Sequence, residues 1–135
     1  MSFQWLQMRI TEEKERRERE AQIRARLPRA MEELEQSLAQ CVNDFAAAFG
    51  AESVRFTREE LHFTVEADGA EVAITADVEL PGFRIAREGA SLAVQVGVLP
   101  GDRLYYLDKE SDQYLSLEEL TRRALDRVLF PKLKE

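Results

Sequence analysis

Four carboxylates stand close together in the stretch DKESDQYLSLEEL: Asp108, Glu110, Asp112 and Glu119. Acids at alternate positions, followed by another one seven residues later, are the kind of oxygen donors that gather around a hard divalent cation. Elsewhere the chemistry is sparse. His62 is the only histidine, which excludes histidine-rich metal sites, and its one conceivable chemical role is acid–base work in a shallow site with Asp77 nearby. Cys41 is the only cysteine, so no internal disulfide forms; it falls in an apolar helical stripe, where a buried thiol is expected rather than a nucleophile. The chain has no cysteine cluster, no glycine-rich phosphate loop and no nucleophile elbow.

The acidic stretch resembles the calcium loop of an EF-hand. Asp108, Glu110 and Asp112 fall at positions one, three and five. Tyr114 would offer its carbonyl at seven, Leu115 fills the apolar eighth position, Ser116 the ninth, and Glu119 the twelfth. Two residues depart from that pattern. Position six, normally a glycine for its sharp turn, is Gln113, and the incoming segment RLYYL is aromatic-rich and strand-like rather than helical. A different reading accounts for the same residues. Ser116 is a helix N-cap, Glu119 is its capping-box partner, and Leu115 and Leu120 form the flanking hydrophobic staple. A helix then runs to about Phe130, stopped by Pro131, with Leu117, Leu120, Ala124 and Val128 on its buried face. Asp108 to Asp112 become the solvated turn before it. We adopt the cap; a calcium or small-ligand module using residues 108–119 is the alternative.

The elements that would position these groups are mostly strands. Residues 52–108 read as six short strands with period-two alternation, separated by TREE, ADGA, LPGF, REGA and PGD. Asp68-Gly69 suits a type I′ hairpin turn and sets Val65 against Val72 and Phe63 against Ile74. Glu88-Gly89 sets Ile85 against Leu92, and Pro100-Gly101-Asp102 sets Val98 against Leu104. With Pro81-Gly82 at a tip, Val78 faces Ile85 and Glu79 faces Arg84; with Arg58-Glu59 at a tip, Phe56 faces Leu61, and His62 lies between Arg55 and Thr75. Each register collects the large apolar residues on one face. The opposite face carries His62, Thr64, Thr75 and several acids, then Ala73, Ala86, Ala93 and Gly97; it is either solvated or covered by another element or subunit.

Two helical segments precede the strands, and Pro28 is expected to separate them. From residue 28 to 49, Met31, Leu34, Leu38, Cys41, Phe45 and Ala48 continue a stripe begun by Leu27 and ended by Gly50. The earlier segment contains EEKERRERE, whose Glu12–Arg16, Glu13–Arg17 and Glu15–Arg19 spacings favour a solvated helix. Its tip, FQWLQMRI, places Phe3, Leu6 and Ile10 on one face. That apolar end needs a surface to bury it: its own body, a second copy or another protein; a membrane surface is disfavoured, because basic residues are not concentrated there.

At 135 residues the chain suits one domain with a real core, and no apolar run approaches the roughly 20 residues that span a bilayer. Net charge is −7, unevenly spread: residues 1–30 hold eight basic and five acidic residues, the rest eleven and twenty-one. The acidic body should repel nucleic acid. A secretory leader pattern is lacking, so a cytoplasmic location is expected.

The expected fold is α+β: a six-stranded antiparallel meander covered on one face by helices 28–49 and 117–130, forming a 28–135 domain, with a charged helical arm over 1–27. The expected function is a non-enzymatic interaction or adaptor module without cofactor, self-associating through the arm as a homodimer or meeting a protein partner. Phe3, Leu6 and Ile10 would supply contact, and Arg16, Arg17 and Arg24 orientation.

Overall fold

The computed structural model describes residues 3–133. Helix α1 (Gln4–Phe49) leads through a short 3-10 turn (Ala51–Ser53) into seven strands and a final helix. The strands are β1 (Arg55–Glu59), β2 (His62–Ala67), β3 (Ala70–Asp77), β4 (Gly82–Arg87), β5 (Ala90–Leu99), β6 (Arg103–Asp108) and β7 (Gln113–Leu115), followed by α2 (Leu117–Leu129). All seven pair antiparallel in chain order, so the α+β meander is as expected but has one strand more than six. The added strand lies between the expected turn, Asp108 to Asp112, and the Ser116 cap. Tyr114 pairs with Leu107 and Leu115 with Tyr106, and Leu115 closes the edge of the core.

The helical break at Pro28 is absent. α1 runs unbroken through it, 46 residues long. An interior proline removes one backbone donor and crowds the carbonyl four residues earlier, at a cost of ~3 kcal/mol. Leu27, Ala30 and Met31 on either side are all buried, and their packing holds that turn helical. The arm and the core helix are therefore one element. Gly50 ends it as expected, its N–H donating to the Ala46 carbonyl.

Both helices lie on one face of the sheet. The core gathers Leu34, Leu38 and Val42 from α1, Leu120, Ala124, Leu125 and Val128 from α2, and Phe63, Val65, Val72, Ile74, Phe83, Val94 and Val96 from the strands. Burial of such a layer supplies most of the stabilisation, at roughly 25 cal/mol per Å² of apolar surface. The two helices are also joined by a polar contact. Thr121 donates its hydroxyl to the Leu117 carbonyl, so the Ser37 hydroxyl donates to Thr121, at 2.7 Å. Ser116 caps α2 as expected, accepting from the Glu119 N–H at 3.0 Å.

Three of the five hairpins have the expected register. Asp68 and Gly69 both take positive φ, 48° and 82°, as a type I′ turn requires, and Val65 meets Val72. Ile85 meets Leu92, and Val98 meets Leu104. The other two are slipped by four residues: Phe56 meets Val65 rather than Leu61, and Ile85 meets Ile74 rather than Val78. A slip of four leaves every side chain on its own face, so alternation is blind to it. At β3–β4 the turn is Val78 to Pro81, set by Asp77, whose carboxylate accepts from the N–H of Glu79 and Leu80. Gly82 is a strand residue here. A Cβ on it would stand 1.9 Å from the Val94 carbonyl oxygen, so only glycine lets β5 approach.

Candidate functional site

The acidic stretch is a structural hub. Asp108 is 3% exposed, not solvated as the sequence suggested. Its carboxylate accepts from the Arg123 guanidinium at 2.7 Å, the Ser111 hydroxyl at 2.9 Å and the Glu110 N–H at 2.9 Å. Burial pushes its pKa up, but these donors and Arg123 outweigh that and hold it below the usual carboxylate value. Glu119 turns to the same arginine, which donates Nε–H to it at 3.3 Å. Asp108 and Glu119 thus converge on a guanidinium, while Glu110 and Asp112 are exposed in the hairpin turn. No cluster of three His, Cys, Asp or Glu among the described residues is arranged to hold a metal ion. The adjoining cleft, about 440 Å³, is lined by Arg87, Arg122, Arg123 and Arg127 and by Asp108, Glu110, Glu119 and Asp126, four charges of each sign. Such balance offers little attraction to a charged ligand.

His62 sits on the open sheet face, hydrogen-bonded at its two ring nitrogens to the hydroxyls of Thr75 and Thr64. Thr75 lies across from it as expected, but the other neighbour is Glu59, not Arg55, because of the β1–β2 slip. Asp77 is engaged with Arg84 rather than with His62, and Arg84 is opposite Thr75, not Glu79. Burial, then Asp44 and Glu118, push the Cys41 thiol up, away from a reactive thiolate. It lines a groove of about 760 Å³ between α1 and α2, with Phe45, Ala48, Phe49, Leu129 and Phe130. This groove was not foreseen. Phe49 and Phe130 gave its only signal, as apolar residues at two helix ends.

The arm is the most distinctive surface. Every residue from Phe3 to Glu12 is exposed. Phe3 is 57% exposed, Leu6 39% and Ile10 39%, and the sequence reading missed two more apolar residues there, Trp5 and Met8, at 64% and 59%. Their three-residue spacing puts them on a second face of the same tip. Behind it lies a ladder of ion pairs. Glu13 accepts from Arg16 and Arg17, Arg16 also reaches Glu20, and Arg24 reaches Glu20. The two arginines hold the Glu13 carboxyl down to about 2, first through the Arg16 hydrogen bonds and then through Arg17. Of the expected pairs, Glu13–Arg17 forms, whereas Arg16 turns to Glu13 and Glu20.

The arm meets the body at one end of the sheet. Arg24 donates to the Val78 carbonyl at 3.1 Å, and Arg26 pairs with Asp102 at 2.6 Å. In a meander the β1–β2, β3–β4 and β5–β6 turns share that end, and each presents an exposed apolar residue: Leu61, Val78 and Leu99. Beside the first of them is a cavity of about 380 Å³ lined by Pro28, Met31, Leu61 and Phe63, with Glu32, Glu35, Glu59 and Glu60 around it. Comparison with protein-family models, curated proteins and solved structures gives no match.

Proposed function

We propose that this protein is a non-enzymatic interaction module that self-associates through its N-terminal helical arm, most simply as a homodimer in the cytoplasm. One observation carries the reading: Phe3, Trp5, Leu6, Met8 and Ile10 are all exposed at the end of a helix whose next twelve residues, Thr11 to Gln22, are polar or small. A helix polar all round gains little from standing alone in water, and an apolar tip on it is buried by association. Residues 4–26 extend about 35 Å at 1.5 Å per residue, enough to reach a second body. Arg16, Arg17 and Arg24 would give orientation more than affinity, since exposed ion pairs are worth little each. Burying the tip would supply most of the energy, less the cost of association. The body is acidic, which disfavours a nucleic-acid partner, and among the described residues no helix is long and apolar enough to cross a membrane. The calcium alternative has weaker support, because Arg123 occupies the point where Asp108 and Glu119 meet.

Sedimentation of the full chain beside Leu6→Glu tests this. Leu6 is exposed and the substitution leaves the core alone, so the variant should fold normally and shift towards monomer. Equal masses for the two chains at every concentration would remove the arm from any self-association.

A further inference from the structure

The helical stripe that packs on the sheet continues outward along the whole arm. Stepping alternately by three and four, it reads Phe3, Leu6, Ile10, Glu13, Arg17, Glu20, Arg24, Leu27, Met31, Leu34. About its midpoint, between residues 18 and 19, this order is self-complementary for an antiparallel neighbour. Glu13 falls opposite Arg24 of a second copy, Arg17 opposite Glu20, and each pair recurs by symmetry. The three apolar residues of the tip fall level with residues 27, 31 and 34 of the other chain, which that chain's own sheet covers, so the tip meets the surface beside them. A parallel pairing would instead set every charge against its own kind. A two-fold interface is built from one patch meeting itself, which is what such a palindrome provides.

The second observation is independent of that pattern. Level with residues 28–35 lies the cavity lined by Pro28, Met31, Leu61 and Phe63 and ringed by Glu32, Glu35, Glu59 and Glu60, against a single Arg58. Its complement is an apolar segment with positive charge. The tip has that character: Arg9 is the only charged residue among 3–11, the first turn of α1 holds no acid, and a helix N-terminus carries a partial positive charge. Resting on the self-association proposed above, we infer that the arms of two copies pair antiparallel about a two-fold axis near residue 18, each tip docking on the cavity beside Leu61 of the other copy. Polar residues within such a seam fix register and orientation, and here they reject the parallel arrangement.

Site-specific crosslinking tests the inference. In a Cys41→Ser background, Leu6→Cys and Leu61→Cys chains are prepared separately, mixed and treated with a short bismaleimide, and their masses in solution are measured in parallel. Both positions are exposed, so neither change disturbs the core. The expected product is a mixed dimer linking the two variants, with no product from Leu6→Cys alone. In the antiparallel pair the two copies of that position stand 25 residues apart along the helices, roughly 37 Å. A Leu6→Cys chain that links to itself would show parallel arms and overturn the inference. Linkage to Phe49→Cys in place of Leu61→Cys would move the tip to the α1–α2 groove and overturn it as well. A dimeric mass with no crosslink to Leu61→Cys refutes the docking site and leaves self-association standing; a monomeric mass refutes both.

Discussion

Replacing Asp108 by alanine should be among the more damaging single changes outside the apolar core. The carboxylate is 3% exposed and takes four donors: Arg123 at 2.7 Å, Ser111 hydroxyl and Glu110 N–H at 2.9 Å, and Ser111 N–H at 3.4 Å. Breaking a buried ion pair costs about 3–5 kcal/mol when the surviving charge is left buried. Arg123 is less stranded than that, with its side chain 31% exposed and Glu119 still beside it, so the expected loss is about 2–3 kcal/mol. Urea unfolding of both proteins at neutral pH measures it. The pH dependence has a definite sign. The folded pKa lies below the ordinary value, so the stabilisation is fully present above pH ~4 and is lost as pH falls through the folded pKa. The gap between parent and Asp108→Ala should therefore narrow in acid. An unchanged urea midpoint at pH 7, or a gap that widens on acidification, would refute the hub. Calcium probes the same geometry: with Arg123 between Asp108 and Glu119, millimolar calcium should leave the melting temperature unchanged. A rise abolished by Glu119→Gln would show the acids gathering round a cation instead.

Ser116→Ala removes the cap on α2 and should cost ~1 kcal/mol in urea unfolding; no change would mean that the Glu119 N–H is satisfied otherwise. Gly82→Ala drives a methyl group into the Val94 carbonyl and should cost about 3 kcal/mol in urea unfolding; an unchanged midpoint would show that β5 gives way without cost. A chain beginning at Leu27 should still unfold cooperatively, since what it loses on the body are exposed contacts such as Arg24 to Val78 and Arg26 to Asp102; a molten product would make the arm part of the core.

Much of the fold could be read from the chain, and where reading failed the cause is specific. The α2 cap was legible because Ser116 and Glu119 act through a local backbone bond that three residues of spacing determine. Hairpins with Asp-Gly or Glu-Gly tips were legible because the turn fixes the register. The Pro81-Gly82 hairpin was misplaced because Gly82 answers to a neighbouring strand rather than to a turn, which no local pattern reveals. Pro28 was read as a break because propensity is local, whereas the buried neighbours that override it belong to tertiary packing. At the arm, Phe3, Leu6 and Ile10 were visible from periodicity, but Trp5 and Met8 were overlooked because they lie off that stripe. The acidic stretch misled most, since Arg123, the partner that draws Asp108 inward, stands fifteen residues away along the chain.

The central claim is that the arm makes this protein associate with itself. Sedimentation equilibrium of the full chain and of the chain beginning at Leu27, across a wide concentration series, tests it most directly. The account predicts that the full chain rises towards twice its own mass as concentration increases, while the shortened chain stays at one. A full chain that remains monomeric throughout would contradict it and send the exposed tip to a different protein.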